Sequence, residues 1–400
     1  MLIMNRKPKF YITTTIPATL DFFSGQPELW KQNFDVCAIS SKREMLESWG
    51  KQEEIRTYFL DMARNPSPLK DLRSLFSFIK LFYKNKPEIV HGGTPKASFL
   101  SMIAAWATHR PIRIYMCHGL RYQTFFGLYR KFLMLMEKIT CKCATDVICV
   151  SFGTMQGLTA DGICPPDKAR VIGYGSACGI DLTHYRLDKN GLDSNIRKKI
   201  GISDDAYIYL FIGRVVHDKG ISELIRSFTQ IERIKKNVHL VILGAFYQED
   251  DPIDEETMHE IKKNPCIHYM GQQTDVRPYL KAANIFVLPS YREGLSTVLV
   301  EAGAMGKASI TSNVTGCGEI IENGKNGILI SSPNLHQGGN PEQMCNELLQ
   351  AMIYAYEHPS EIEQMGKMAR KRIEERYEQQ VVWQNYNEEY LRLAKRLKEK

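Results

Sequence analysis

Residues 284–306, NIFVLPSYREGLSTVLVEAGAMG, decide the fold. Ile285–Leu288 is a short apolar run that predicts a buried strand, ended by Pro289 and Ser290. A polar turn carrying Glu293 and Gly294 comes next. From Ser296 the spacing of Val298, Leu299, Ala302 and Met305 predicts a helix with one buried face. Glu293 then sits in the loop at the carboxyl end of a strand and Glu301 in the helix behind it. In open α/β sheets this is where ligands bind. A helix start also offers unpaired N–H groups and positive dipole density to an anionic group such as a diphosphate.

The same alternation runs through the chain. Lys9–Thr15, Phe34–Ser40, Pro87–His91, Ile112–Cys117 and Asp146–Ser151 read as strands in the first half. Helical patterns fall over Leu69–Tyr83 (Leu72, Leu75, Phe76, Ile79, Phe82, Tyr83), Ala97–Thr108 and Leu128–Cys143. The polar stretch 186–200, RLDKNGLDSNIRKKI, reads as a connection. A second series opens at Tyr207–Ile212 and continues through Val238–Leu243, Ile267–Met270 and a helix over Val276–Ala282 to the opening stretch. The last 40 residues read as helical and end in a Trp383/Tyr386/Tyr390/Leu393/Leu397 stripe. Strands alternating with helices imply parallel sheets covered on both faces. The chain length of 400 residues, 44% hydrophobic, suits two cores, with domains over 1–182 and 198–375 and a terminal segment over 376–400.

Composition sets limits on class. No run of 18 or more apolar residues occurs, so no membrane-spanning helix is expected. MLIMNRKPKFYITTTIP lacks an apolar core with a small-residue cleavage site, so no signal peptide is expected. The ten cysteines are scattered without a CxxC pair, which favours reduced thiols and disfavours a zinc site. The net charge of +7 is uneven: residues 1–185 hold 24 Lys+Arg against 15 Asp+Glu, a net +9. A basic first half suits a phospholipid surface, a lipid phosphate or a nucleic acid, or is simply a solvated face.

In Ile212–Gly220, IGRVVHDKG, a strand end leads to a helix. Gly213 permits a tight turn, and Arg214 and Lys219 can converge on one anion. Together with the two glutamates this constitutes a phosphate site in one domain. GYGSACG (173–179) has three residues before its last glycine and is succeeded by IDLTHYR, so it reads as a turn, with Asp181 capping the next element. No Asp-x-Asp occurs in the chain, and QEDDPIDEE (248–256) reads as a solvated loop and helix start. Leu128–Cys143 mixes Phe132, Leu133, Leu135, Met136 and Ile139 with Arg130, Lys131, Lys138 and Lys142. It is either a core-facing helix with a basic side or part of a membrane-facing patch with Tyr122, Phe125 and Phe126. His91, in IVHGG, either lines a cleft or is structural.

GRVVHDKG and, further on, PSYREGLSTVLVEAGAMGKASITSNVTGCGEIIENGKNGILI resemble the C-terminal domain of retaining glycosyltransferases of the GT-B fold, family 4. KPEIVHGGTPKASFLSMIAAWATHRPIRIYMCHGL and ATDVICVS resemble the capsule and O-antigen branch, and GYGSACGIDLTHY its interdomain segment. The resemblance implies two Rossmann-like α/β/α domains facing each other across a cleft, with the last helix crossing back to the first. It implies an N-domain for the acceptor and a C-domain for a nucleotide-sugar donor, UDP-linked in this reading. Glu293 would contact the sugar hydroxyls and Glu301 the ribose. Arg214 and Lys219 would hold the diphosphate with the N–H groups of Leu295, Ser296 and Thr297, beside Gly294. His118 matches the N-domain histidine near the transferred sugar. The chemistry asks for these types, because cations and helix-end donors stabilise charge developing on a leaving diphosphate. The expected reaction is metal-independent transfer of a hexosyl or N-acetylhexosaminyl group, with no cofactor beyond the donor. The expected acceptor is a lipid-pyrophosphate-linked saccharide at the cytoplasmic face of an anionic membrane, with no nucleic acid partner. A nucleotide-sugar 2-epimerase and a non-catalytic subunit of the same fold are the alternatives. One departure stands out: many relatives carry a Gly-Gly pair after the first strand, where this chain has TTTIPATLDFFSGQPELW with Gly25 alone, as the resemblance to the capsule branch allows.

Overall fold

The computed structural model describes residues 6–63, 65–187, 196–247, 251–333 and 339–398. The chain divides into two units, Met1–Gly179 with Gln380–Lys400, and Ile180–Gln379.

The first unit is built on β1 (Lys9–Thr13), β2 (Asp35–Ser40), β3 (Arg56–Phe59), β4 (Ile89–Gly92), β5 (Ile112–Cys117), β6 (Asp146–Cys149) and β7 (Ala169–Val171). They form a seven-stranded parallel sheet in the order β3-β2-β1-β4-β5-β6-β7. Parallel neighbours need crossover connections, and the helices that supply them cover both faces. That is why β4 and β6 are buried along their whole length. The order reverses between β1 and β4, so the loops after these strands flank the switch point of the sheet.

The second unit carries β8 (Tyr207–Ile212), β9 (Val238–Leu243), β10 (Ile267–Tyr269), β11 (Ile285–Leu288), β12 (Ser309–Ser312) and β13 (Gly327–Ile330) in the parallel order β10-β9-β8-β11-β12-β13. Every residue of β8 is buried. Its two tyrosines keep their hydroxyls satisfied by donating to Ala355 O and Met352 O of the helix Pro341–Glu357, each at 2.7 Å. Here the order reverses between β8 and β11.

The terminal helix Gln379–Lys395 packs on the first unit. Tyr386 donates to Ser176 O at 2.7 Å, Trp383 Nε1 to Cys178 O at 2.8 Å, and the Tyr390 hydroxyl lies 3.2 Å from His91 Nε2. The glycine at Gly25 has its reason here. Its φ is +79°, and a Cβ would stand 2.4 Å from the Trp383 ring. The chain passes between the units twice, at adjacent points. Ile180 N–H donates to Tyr377 O at 2.8 Å and Gln379 N–H to Ile180 O at 3.0 Å.

Several expectations change. Residues 188–195 of the predicted connection lie outside the described residues, but Ile196–Lys199 forms a helical turn with Ile196 in the second core. Arg197 there donates to Ala282 O at 2.8 Å and to Asn284 Oδ1 at 3.0 Å. Tyr377 is also in that core, so the passage to the terminal helix falls after Gln379 instead of at 376. Strands β3, β7, β12 and β13 were not expected.

The helix Pro68–Asn85 presents a different face from the one its apolar stripe suggests. Ser74, Phe78 and Phe82 are buried, while Leu69, Leu72, Phe76 and Tyr83 are exposed. Tyr122, expected beside Phe126 at an interface, is fully buried and donates to Asp161 Oδ2 at 2.8 Å. In the acidic run, residues 248–250 lie outside the described residues. The rest is more than solvated surface: Asp254 caps the helix Glu255–Lys263, accepting from Thr257 N–H at 2.7 Å and from the Ser222 hydroxyl at 2.6 Å.

Candidate functional site

β8 and β11 are hydrogen-bonded neighbours, with Ile285 opposite Tyr209. Because they run parallel, the loops that leave them at Gly213 and Pro289 emerge side by side at the sheet's carboxyl edge, at the switch point. Two glycines permit the close approach. Gly244 (φ +140°) would bring a Cβ 1.8 Å from Gly213 O, and Gly220 (φ +69°) would bring one 1.9 Å from Pro289 O. Asp218 then locks the loops together. Its carbonyl accepts from Tyr291 N–H at 2.9 Å and from the Ser290 hydroxyl at 3.1 Å. Its carboxylate pairs with Arg292 Nη2 at 2.8 Å, and its N–H donates to Asp251 Oδ2 at 2.7 Å. Tyr291 adds a bond from its hydroxyl to Glu223 Oε1 at 2.9 Å.

The product of this clamp is one contact. Lys219 Nζ lies 2.6 Å from Glu293 Oε1, with side chains only 15% and 11% exposed. A pair shielded to this degree is screened less by solvent and salt than a surface salt bridge. Arg214 stands with its guanidinium 5.9 Å from the Tyr247 ring centroid and has no ion-pair partner among the described residues. Lys219 and Arg214 thus leave the same strand end, one cation held by a carboxylate and the other uncommitted.

The helix Thr297–Ala304 starts directly beyond Glu293. Ser296 occupies its N-cap but does not cap it, and the buried hydroxyl has no partner. Nor do the N–H groups of Leu295, Ser296 and Thr297 donate to any acceptor among the described residues. Such orphan donors are satisfied by caps, water or ligands, and an anion fits them best. Gly294 forms the turn, its carbonyl so close to Gly316 (φ +80°) that a Cβ there would stand 2.1 Å away. Glu301 lies on the second turn of the helix. Burial pushes its carboxyl up to about 7, against a hydrogen bond from the Tyr185 hydroxyl that pulls it down.

In the first unit His118 comes just after β5, its ring 5.4 Å from that of Phe22. Nε2 is buried with no partner, and burial lowers the imidazole to about 4, so it is neutral at pH 7. His91 does not line a cleft. It is 1% exposed, caged by Phe10, Phe23 and Tyr390, and burial lowers it to about 3. The β1–β4 switch point is closed by threonines. Thr15 Oγ1 lies 2.9 Å from Thr94 Oγ1 and accepts from Ala97 N–H at 3.3 Å, at the start of the helix Pro95–Ala107.

The structure therefore gathers Arg214, Lys219, Glu293, Gly294, Leu295, Ser296, Thr297 and Glu301 on one edge of the second unit, and sets His118 on the first. Asp218, Asp251 and Arg292 are site-shaping residues that the sequence did not reveal. Among the described residues no group of three or more His, Cys, Asp or Glu side chains is placed to hold a metal ion.

Comparison with known proteins identifies the family and the fold. The family described as glycosyl transferases group 1 matches residues 193–372, and glycosyltransferase family 4 matches residues 28–182. The chain is 34% identical to the capsular polysaccharide biosynthesis glycosyltransferase CapM of Staphylococcus aureus, over 96% of this chain and 97% of that one. It is 26% identical to a UDP-Gal:alpha-D-GlcNAc-diphosphoundecaprenol alpha-1,3-galactosyltransferase of Escherichia coli, over 75% and 76% of the two chains. Among solved structures, Anabaena HepE in complex with UDP and glucose superposes with a TM-score of 0.77 at 17% identity, covering 96% of this chain and 99% of that one. Sucrose-phosphate synthase from Thermosynechococcus elongatus gives 0.75 at 20%, covering 97% and 99%. Two successive doubly wound parallel sheets of this kind are the GT-B architecture. The chain belongs to the family 4 glycosyltransferases, alongside relatives of the capsule branch.

Proposed function

We propose that the protein transfers a hexosyl or N-acetylhexosaminyl group from a nucleotide sugar, UDP-linked, to a lipid-diphosphate-linked saccharide in the assembly of a bacterial surface polysaccharide, with retention of anomeric configuration. The observation that carries this reading is the Lys219–Glu293 pair beside an uncapped helix start and an uncommitted Arg214. A diphosphate entering there meets two cations and three orphan N–H groups. It draws Lys219 away from Glu293, and the freed carboxylate accepts from hydroxyls of the sugar. Glu301 accepts from the ribose. These groups act where charge develops as the leaving group departs, and removing one such donor typically costs about 10²–10³ in kcat.

The bond from C1 of the sugar to the diphosphate oxygen breaks, and a bond from C1 to the acceptor hydroxyl oxygen forms on the same face. The hydroxyl proton passes to the departing phosphate oxygen. Among the described residues of the second unit no side chain is taken as a covalent nucleophile in this reading, and the fixed cations and helix N–H groups take the part that a divalent ion plays elsewhere. His118 stays neutral, and its unpartnered Nε2 is the atom that a hydroxyl of the transferred sugar would bond in this reading. No cofactor beyond the donor is invoked.

The names of the relatives support the acceptor class. The E. coli relative acts on a diphosphoundecaprenol-linked sugar, and a Campylobacter jejuni relative, 26% identical, on a diphospho-undecaprenol-linked one. A lipid-borne acceptor requires the first unit to reach a bilayer. Among the described residues no helix is long and apolar enough to cross a membrane. The helix Gly127–Cys143 leaves Leu128, Phe132 and Leu135 exposed beside Arg130, Lys131 and Lys138, and the helix Pro68–Asn85 leaves Leu69, Leu72 and Phe76 exposed beside Lys70, Arg73 and Lys80. Apolar residues interleaved with cations suit peripheral contact with an anionic leaflet, on the cytoplasmic side where nucleotide sugars are found.

The test is incubation with a panel of UDP- and GDP-sugars and undecaprenyl-diphosphate-linked GlcNAc. One donor should give nucleoside diphosphate and an elongated lipid in equal amounts. Nucleoside diphosphate without elongated lipid would point to hydrolysis or epimerisation, and no turnover with any donor would overturn the enzyme reading.

A further inference from the structure

Tyr291 stands two residues before Glu293, in the loop after β11, and is held at three points. Its N–H donates to Asp218 O at 2.9 Å, and its ring lies 4.8 Å from that of His217. These two contacts tie it to the short turn His217–Lys219, which carries Lys219. The third runs elsewhere: the hydroxyl donates to Glu223 Oε1 at 2.9 Å, on the first turn of the helix Ile221–Ile234. That helix is seated in the core of the second unit through Leu224, Ile225 and Phe228, each no more than 2% exposed. Glu223 itself is 3% exposed. Its Oε1 also accepts from Arg226 Nη2 at 3.2 Å, while Oε2 is buried without a partner. A half-bonded buried carboxylate weakens the fold, and an apolar side chain would pack there with less penalty. What the carboxylate supplies is a strong acceptor of fixed direction for the tyrosine hydroxyl.

We infer that Tyr291 is a positioning residue for Glu293, anchored by Glu223, and that their hydrogen bond keeps the loop in place once Lys219 has turned to the diphosphate. This rests on the sugar-facing role proposed for Glu293. In the unliganded protein each of residues 291–293 has a side-chain hold: the Tyr291–Glu223 bond at 2.9 Å, the Arg292–Asp218 pair at 2.8 Å and the Glu293–Lys219 pair at 2.6 Å. Donor binding takes away the hold at Glu293. The hold at Arg292 ends on Asp218, the neighbour of Lys219 in the same short turn, so it follows that turn when Lys219 moves. The hold at Tyr291 ends on a helix packed in the core and does not depend on where Lys219 points. A carboxylate on a loop fixed in this way meets the sugar hydroxyls without first being ordered, so the contact adds to affinity in full.

The experiment is calorimetric binding of UDP, UDP-glucose, UDP-galactose, UDP-N-acetylglucosamine and UDP-N-acetylgalactosamine to the wild type, Y291F, E223A, E223Q, E293Q and Y291F/E293Q. The quantity read is the affinity of the best-bound UDP-sugar divided by that of UDP. This ratio should exceed one in the wild type. In Y291F it should fall toward one, a loss of about 3- to 10-fold as expected for one hydrogen bond, with UDP affinity kept within about twofold. E223A should behave like Y291F, E223Q, which keeps an acceptor oxygen, should retain more of the ratio, and Y291F/E293Q should match E293Q. An unchanged ratio in Y291F or E223A, E223Q no better than E223A, an equal loss for UDP and UDP-sugar, or a further loss in the double variant would each overturn the positioning role while leaving the sugar-facing reading in place. A wild-type ratio in E293Q, or no UDP-sugar bound more tightly than UDP by the wild type, would overturn that reading and the inference with it.

Discussion

Glu293 and Lys219 hold each other in the unliganded protein, and that arrangement has a consequence for mutants. Glu293→Gln removes the partner that Lys219 must leave before it can turn to a diphosphate. UDP affinity should therefore stay the same or rise, while kcat falls by about 10²-fold or more through loss of the sugar-facing carboxylate. Parallel losses in kcat and in UDP affinity, from steady-state kinetics and calorimetry on the same preparation, would refute a sugar-facing Glu293. The residues of this cluster were legible in the sequence because each stands within a few positions of an apolar run that ends in a breaker. Their supports were not. Asp218 meets Arg292 across 74 residues, and Tyr291 reaches the Glu223 carboxylate across 68, so no local pattern announces either. His91 shows the converse. Its place at a strand end left a ligand-facing and a structural role both open, and the Tyr390 face of the last helix covers it.

Among the elements, β5, β8, β9 and β11 have the bounds their apolar runs imply, since a strand buried on both faces writes a continuous hydrophobic signal. An exposed edge strand and a buried strand of polar residues both lack that signal. β3, RTYF, has both end residues exposed, and β12, SITS, is buried but three-quarters polar. The helix Pro68–Asn85 carries two apolar stripes, and only contact with the helix Pro95–Ala107 selects Phe78 and Phe82 as the inner one. The outer stripe is then left at the surface, with Leu69 85% and Phe76 61% exposed; on the other helix Leu128 is 84% exposed. Charged residues at these positions should abolish membrane association if both helices meet the bilayer. In vesicle flotation with phosphatidylglycerol-containing liposomes, L69E/F76E and L128E/F132E should each move the protein from the floated to the soluble fraction, and high salt should weaken the wild type. Flotation equal to wild type in both variants would remove these helices from the membrane face.

At the scale of the molecule, the last helix belongs by packing to the first unit and by sequence to the second. Tyr386, Tyr390 and Leu393 are each no more than 1% exposed, and Tyr390 packs edge-on against Phe10 and Trp30 with ring centroids 5.0 and 5.5 Å apart. A stop after Gln379 would uncover those aromatics. Losing several buried aromatics, each worth about 3–5 kcal/mol on truncation to alanine, exceeds the usual reserve of a domain. Differential scanning calorimetry of the truncated chain should show the second unit's transition and lose the first's; two intact transitions would mean the helix is dispensable. The two-domain plan, the order of the motifs and the stripe of the last helix were all readable in the sequence, because each repeats a periodic signal many times over. The place where the chain changes units was not, since it depends on the pairing of Ile180 with the Tyr377–Gln379 segment, which are almost two hundred residues apart.

Same-face transfer driven by fixed protein cations and a helix start is the core of the proposed mechanism. It is tested most directly by proton NMR of the anomeric centre in the elongated product, formed from an α-linked UDP-sugar in the presence of excess EDTA. An α-linked product at an undiminished rate is predicted. A β-linked product, or turnover that vanishes with the chelator and returns with a divalent ion, would contradict same-face, metal-independent transfer.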